Sequence, residues 1–321
     1  MIDSAFHVFH SLEEAAGRFG PCALTIGNFD GVHAGHRRIM RRVVAVAREH
    51  GWKPAVLTFH PHPTTVVAPE RAPRLITAPE QRALLMKQEG IEHVLILPFT
   101  REVSQLEPED FVSEVLVRRL QARAVLVGEN FRFGHRHAGD TALLEKLGAK
   151  YGFVTEVIPA VRLRGRIVSS SQVRRLLGEG NVSLAGRMLE SLFTLQGRVV
   201  PGHGIGSKQT VPTLNLAPDT EMLPAPGVYV TCTRSLNDGR VWPSVTNIGN
   251  RPTFGGDASL SVETYLLEPL EGETPRAIQV EFLMRLRDER RFPSPEALKA
   301  QILHDAARAR EFFRRAHFTP S

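Results

Sequence analysis

The sequence predicts an α/β chain of two domains, and three observations carry that reading. Short apolar runs recur at 22–26, 55–59, 93–97, 124–127 and 153–158 with helical patterns between them, the alternation of a parallel sheet. Beyond about residue 185 the pattern changes: strand-like runs at 194–200, 227–233, 244–248, 260–267 and 277–283 follow one another across Gly and Pro turns, which predicts an antiparallel barrel or sandwich. At 321 residues the chain exceeds what one hydrophobic core usually organises. The expected domain limits are 1–186 and 187–321.

The first clear strand, Cys22-Ala23-Leu24-Thr25-Ile26, is apolar and β-branched, as a strand covered on both faces requires. It runs into the turn Gly27-Asn28-Phe29-Asp30-Gly31-Val32-His33-Ala34-Gly35-His36. His36, Ile39, Met40, Val43, Val44 and Ala47 then recur at helical spacing, so an amphipathic helix is expected from His36. Gly51, Gly90 and Gly152 each follow a helical stretch, where a left-handed cap favours glycine. Residues 171–189 read as a short helical link. The chain closes with a helix from about Pro295, whose apolar stripe is Leu298, Ile302, Ala306, Ala309 and Phe313.

Composition bounds the function. Hydrophobic residues at 42% and charged residues at 23% belong to a folded soluble protein. No apolar run reaches the length of a membrane span, and the N-terminus lacks a basic region leading an apolar core, so a cytoplasmic protein with no membrane partner is expected. Cys22 and Cys232 are read as reduced core residues. The formal charge of +6 suits an anionic partner. The basic residues form only short clusters, such as Arg37-Arg38 and Arg174-Arg175, and there is no RNA-binding aromatic signature. Solvated helix faces explain most of that charge.

The histidine turn is the chemically informative segment. A helix N-terminus presents unpaired backbone N–H groups and the positive end of the helix dipole, which suits phosphate oxygens. Gly31 and Gly35 allow close backbone approach, and His33 and His36 can donate to phosphates as charge moves to a leaving pyrophosphate. A nucleoside triphosphate handled without a P-loop is the expectation. His-x-x-His also occurs as a metal ligand pair, but no Glu follows the first His and no Cys pair is near.

This turn resembles that of the flavin branch of the nucleotidylyltransferases, in which FMN adenylyltransferase is joined to riboflavin kinase. Further motifs follow the same resemblance in order. Thr58-Phe59-His60-Pro61-His62-Pro63 sits at a strand end. Val127-Gly128-Glu129-Asn130-Phe131-Arg132-Phe133-Gly134 sits at another, with Gly139-Asp140 closing it. Val168-Ser169-Ser170-Ser171-Gln172-Val173-Arg174 starts a helix, with Gln172 where many members have Arg. The resemblance implies a Rossmann-like nucleotidylyltransferase domain with a parallel sheet. It also implies that Gly27, Asn28, Phe29, Asp30, Gly31, Gly35, Ser169, Ser170 and Ser171 bind ATP phosphates. His33, His36 and Arg174 would be catalytic, and His62, Asn130, Phe131 and Arg132 would face flavin. For Asp30, holding Mg²⁺ and bracing the turn through backbone N–H groups stand as equal alternatives.

The second half resembles the riboflavin kinase module, an antiparallel β-barrel with a C-terminal helix. Gly197-Arg198-Val199-Val200-Pro201-Gly202 opens it and Val211-Pro212-Thr213-Leu214-Asn215 follows. Next come Thr246-Asn247-Ile248-Gly249-Asn250-Arg251-Pro252-Thr253-Phe254 and Val262-Glu263-Thr264, and Arg287-Asp288-Glu289-Arg290-Arg291-Phe292 closes it. The resemblance implies Glu263 as catalytic base. Gly202, Gly206, Lys208, Thr213 and Asn215 would serve the nucleotide, Thr213 and Asn215 would hold Mg²⁺, and Arg287 and Glu289 would contact flavin. Departures concentrate in the nucleotide flap: Ser207 replaces the usual Arg, Thr210 the usual Gly, and the Tyr-Gly expected after Glu263 is absent.

The expected protein is therefore a bifunctional enzyme that phosphorylates riboflavin to FMN and adenylylates FMN to FAD. Its partners would be flavins and ATP, with no nucleic acid, in a monomer or weak homo-oligomer. Two alternatives stand beside it: an FAD synthetase whose barrel only binds flavin, and a basic RNA-binding protein.

Overall fold

The computed structural model describes residues 6–201, 213–250 and 260–316, and the calls at Gly202, Gly206, Ser207, Lys208, Thr210 and Arg251 to Phe254 lie outside them. The chain divides after Ser170 into two compact units.

The first unit is built on six parallel strands: β1 (His7–Phe9), β2 (Cys22–Ile26), β3 (Lys53–His60), β4 (His93–Pro98), β5 (Ala122–Gly128) and β6 (Val154–Ile158). Their order in the sheet is β1-β4-β3-β2-β5-β6. The chain thus builds outward from β2 in one direction through β3 and β4, then returns to add β5 and β6 on the other side. A crevice at the carboxyl ends of β2 and β5 is what such a reversal leaves, and open α/β sheets bind ligands there. Every residue of β2 is buried, in agreement with its uninterrupted apolar run. One core cluster gathers Leu24, Leu57, Leu95, Val125 and Phe111; the other gathers Ala23, Val56, Val94, Leu126 and Met40. Each strand thus sends alternate side chains into two separate cores.

The five predicted strands are present with ends shifted by at most two residues, whereas β1 was not predicted. Three residues give no period to detect, and β1 is held by its parallel register with β4. The hairpin of β7 (Arg162–Leu163) and β8 (Arg166–Ile167) completes the unit.

In the second unit the helices Ser170–Gly178 and Val182–Leu189 precede a closed antiparallel barrel. Its strands are β9 (Phe193–Val200), β10 (Thr213–Pro218), β11 (Gly227–Ser235), β12 (Val241–Asn250), β13 (Leu260–Leu266) and β14 (Ala277–Asp288). They close in the order β10-β13-β12-β11-β14-β9. The unpredicted strand is β10, which carries the Thr213 and Asn215 motif and ends in Pro218. Closure removes the exposed sheet edges that a sandwich would leave.

The barrel encloses Tyr229 against Phe282 together with a chain of hydroxyls. Thr233, Ser244, Thr231, Thr246 and Thr264 are linked in that order at 2.8–2.9 Å, all fully buried. The three inner hydroxyls can each donate to one neighbour and accept from the other, so most of the row's hydrogen bonding is met within it.

The terminal helix Pro295–Ala316 packs Ala306, Ala309 and Phe313 on Val228, Val230 and Val245. Asp305 on that helix is 2% exposed and accepts from Arg287 Nε at 2.9 Å and Nη2 at 2.8 Å, and from Gln301 Nε2 at 2.8 Å. Removing one partner of a buried pair strands the other charge. Asp305→Asn is therefore expected to destabilise the barrel unit by about 3 kcal/mol. Denaturant unfolding followed at Trp242 checks this, and an unchanged midpoint would refute it. Trp52 reports the first unit in the same titration.

Candidate active sites

The turn after β2 is fixed at several points. Phe29 and Val32 both have positive φ, 50° and 41°, and both are buried. A β-branched residue held there is a genuine outlier that its surroundings must impose. Gly31 also lies at φ 81°. The Asp30 carboxylate, 1% exposed, accepts from Ile76 N and Thr77 N at 3.0 Å and from Thr77 Oγ1 at 3.2 Å. Of its two alternatives, bracing the turn is the one these contacts describe. The Gly31 N–H donates to Thr77 Oγ1 at 3.1 Å, so that group faces the protein.

The helix runs Ala34–His50 and begins two residues earlier than predicted. Its N-cap is His33, whose Nδ1 accepts from His36 N at 3.4 Å, which puts the His33 proton on Nε2. A histidine cap carries no Ser or Asp signature, hence the late predicted start. The two imidazoles stack with centroids 3.6 Å apart, and Phe29 packs edge-on against His36 at 5.0 Å. Gly35 makes this possible: a Cβ there would sit 3.1 Å from the His33 ring. Burial, then His33, then the Arg82 charge lower the His36 pKa well below the usual histidine range, so this ring is neutral at neutral pH. Its Nδ1 is buried without a hydrogen-bond partner.

Other predicted motifs meet this turn. The Asn28 amide lies 3.1 Å from His62 Nε2, joining the phosphate-side turn to the Thr58 to Pro63 loop. Thr58 Oγ1 donates to Asn28 O at 3.2 Å. Ser170 Oγ donates to Asp30 O at 2.9 Å, which brings the serine segment onto the same turn. Ser169 belongs to this unit as well, while Ser171 and Arg174 fall in the second.

After β5, Asn130 is exposed, Phe131 stacks on Phe133 at 5.5 Å, and Arg132 pairs with Asp140 at 3.3 Å. Phe133 is buried against Gly139. Arg37, counted among the solvated basic residues, is instead buried and paired with Glu89.

Arg82 was not anticipated. It lies in the helix Pro79–Gln88, is 3% exposed, and donates through Nη1 to Asn28 O at 2.5 Å and Thr58 Oγ1 at 3.4 Å. An isolated Arg on a helix ordinarily reads as a solvated residue, and nothing in its local sequence marks it otherwise.

In the barrel, register places Asn215 of β10 and Asn247 of β12 on either side of Glu263 of β13. Paired residues share a face, so these side chains and Thr213 project on one side. Asn215 is buried and Glu263 exposed. Thr, Asn and Glu oxygens are hard donors that suit Mg²⁺, and among the described residues no cluster of three His, Cys, Asp or Glu side chains offers an alternative metal site. A Cβ on Gly249 would collide with the Glu289 carboxylate and come within 3.0 Å of Asn247 Nδ2, so Glu289 also reaches this group. Arg287 donates to Asp305 and, at 2.9 Å, to Asp288 O. Asn247 was not singled out by sequence, although its motif was.

Comparison with known proteins accords with this layout. Residues 17–172 match the FAD synthetase family model and residues 189–313 the riboflavin kinase model. The bifunctional riboflavin kinase/FMN adenylyltransferase of Escherichia coli strain K12 is 36% identical over 304 residues, 95% of this chain and 96% of that protein. Its counterpart in Pseudomonas fluorescens is 38% identical over 289 residues, covering 90% and 92%. A solved chain from Streptococcus pneumoniae described as a macrolide-efflux protein superposes with a TM-score of 0.85 at 24% identity, covering 95% of this chain and 98% of that one, a likeness of fold alone. At that identity and coverage, the chain belongs to the bifunctional riboflavin kinase/FMN adenylyltransferase family.

Proposed function

We propose that the two activities of the family are divided between the turn after β2 and the Glu263 face of the barrel. The stacked His33 and His36 pair at a helix N-terminus, at the reversal of the sheet, carries this reading. At that site an FMN phosphate oxygen attacks the α-phosphorus of ATP. The bond to the bridging oxygen breaks and pyrophosphate leaves. The helix N-terminus and the imidazole N–H groups stabilise the charge that develops on the departing oxygens. Gly27, Asn28, Phe29, Asp30, Gly31 and Gly35 shape the nucleotide side, with Ser169 and Ser170 serving its phosphates. His62, Asn130, Phe131 and Arg132 form the flavin side.

In the barrel, Glu263 takes the proton of the riboflavin 5′-hydroxyl as that oxygen attacks the γ-phosphorus of ATP, and ADP leaves. Thr213 and Asn215 would hold Mg²⁺, which when bound offsets phosphate charge. Glu289, beside Asn247 and Gly249, orients the flavin, and Arg287 holds that strand end to the terminal helix. Segments 1–186 and 187–321 are the proposed catalytic units. A cytoplasmic location, and action as a monomer or weak homo-oligomer, complete the reading and rest on composition.

The test is incubation with riboflavin, ATP and Mg²⁺, following both flavins by chromatography. FMN should form first and FAD after it. No FMN from riboflavin, with added FMN still converted to FAD, would leave only the adenylyltransferase, the outcome that Ser207 and Thr210 favour.

A further inference from the structure

The guanidinium of Arg82 is enclosed beneath the histidine turn in an unusual state. Both of its hydrogen bonds leave from Nη1, to Asn28 O and Thr58 Oγ1. Nε is buried with no partner, and among the described residues no carboxylate lies within ion-pair distance of the group. Asp30 and Glu80 act on it only from further away, and the oxygens of Asp30 already accept from Ile76 and Thr77. Burial dominates: it lowers the Arg82 pKa, against the raising effect of those two carboxylates. A cation in that position is costly unless a counter-charge arrives, because an ion taken out of water loses its hydration. Among the described residues, the group it grips firmly is the carbonyl of Asn28 in the nucleotide turn. Its charge also reaches His36.

We propose that Arg82 is a positioning residue for adenylyl transfer: it anchors the Asn28 carbonyl of the histidine turn and keeps beneath that turn a cation whose counter-charge is the polyphosphate of the bound nucleotide. The inference rests on placing the adenylyltransferase at this turn. Two properties of the side chain are separable. The fork fixes the turn geometry, and this acts on the rate of transfer. The charge favours a polyanion, and this acts on nucleotide affinity. Methionine keeps the length and removes both, whereas lysine keeps the charge and loses the fork.

The experiment compares Arg82→Met and Arg82→Lys with wild type in the full chain. It measures kcat and KM for ATP and FMN in FAD formation, and the rise in Tm produced by ATP with Mg²⁺. Arg82→Met should lose roughly 10–100-fold in kcat/KM for ATP, the range for a charged hydrogen-bonding group. Its KM for FMN should stay within about twofold, its Tm without nucleotide should be unchanged or higher, and the ATP-induced rise should shrink. Arg82→Lys should restore KM for ATP and the Tm rise while kcat stays low. A purely structural role predicts the opposite: a lower Tm without nucleotide, with KM for ATP and the nucleotide-induced rise unchanged. That result overturns the proposal, as does wild-type behaviour of both variants. If the Met variant does not fold, a Lys variant with wild-type kcat is the overturning result. Wild-type protein that binds ATP but forms no FAD would sink the adenylyltransferase reading instead, and the Tm comparison still reads the charge.

Discussion

His36→Ala is expected to lower kcat for FAD formation by roughly 10²–10³-fold, the usual loss when one preorganised donor to a developing oxyanion is removed. Riboflavin phosphorylation should continue at the wild-type rate. The expectation follows from how the ring is held. His36 lies in the first helical turn, stacked on His33 and edge-on to Phe29, so it has little freedom to reorient. Burial, the neighbouring His33 and the Arg82 charge keep it neutral, so it acts as a fixed dipole at the positive end of the helix. A preorganised dipole costs no reorganisation when pyrophosphate departs. Separate assays starting from FMN and from riboflavin resolve the two steps. FAD formation within a few-fold of wild type would remove His36 from the mechanism.

Glu263→Gln should do the reverse, cutting FMN formation by roughly 10²–10⁴-fold, the contribution of a positioned general base, with conversion of FMN to FAD unchanged. Gln is close in size and cannot take the hydroxyl proton. Because Glu263 is exposed on β13, the substitution should leave the barrel intact, and an unaltered melting profile would separate chemistry from folding. The flanking Asn215 and Asn247 remain able to place substrate oxygens, so KM should move less than kcat. A variant with normal kcat would mean that another group accepts the proton. Together the two substitutions make a crossed test, since each activity has its own insensitive partner.

Much of this was legible in the sequence because the signals were periodic or contiguous. The run Cys22 to Ile26 and the glycines at 51 and 152 gave the sheet and its helix ends, and both glycines are left-handed caps. What escaped had no such period. β1 is three residues long. The β10 stretch Thr213 to Pro218 combines turn-forming residues with an apolar pair, and only pairing with β9 and β13 makes it a strand. The row of buried hydroxyls inverts the usual rule that inward residues are apolar, so the barrel interior could not be told from its surface by polarity. The helix start was missed because a histidine ring, not a Ser or Asp, caps it. Arg82 is a matter of three-dimensional placement: it meets Asn28 from 54 positions away.

The segment from Ile76 to Arg82 holds the histidine turn at two points. Ile76 and Thr77 grip it through Asp30, and Arg82 grips it through the carbonyl of Asn28. The turn is thus suspended between two anchors whose separation is set by a Pro-started helical end, Thr77 to Arg82, with Pro79 inside it. Surface connections usually accept a gained or lost residue, because nothing depends on their length. Here the spacing works as a ruler. A one-residue insertion between Thr77 and Arg82 would rotate the arginine by about 100° around its helix, and the nucleotide turn would lose one of the two supports that this segment gives it without any change to a recognisable motif.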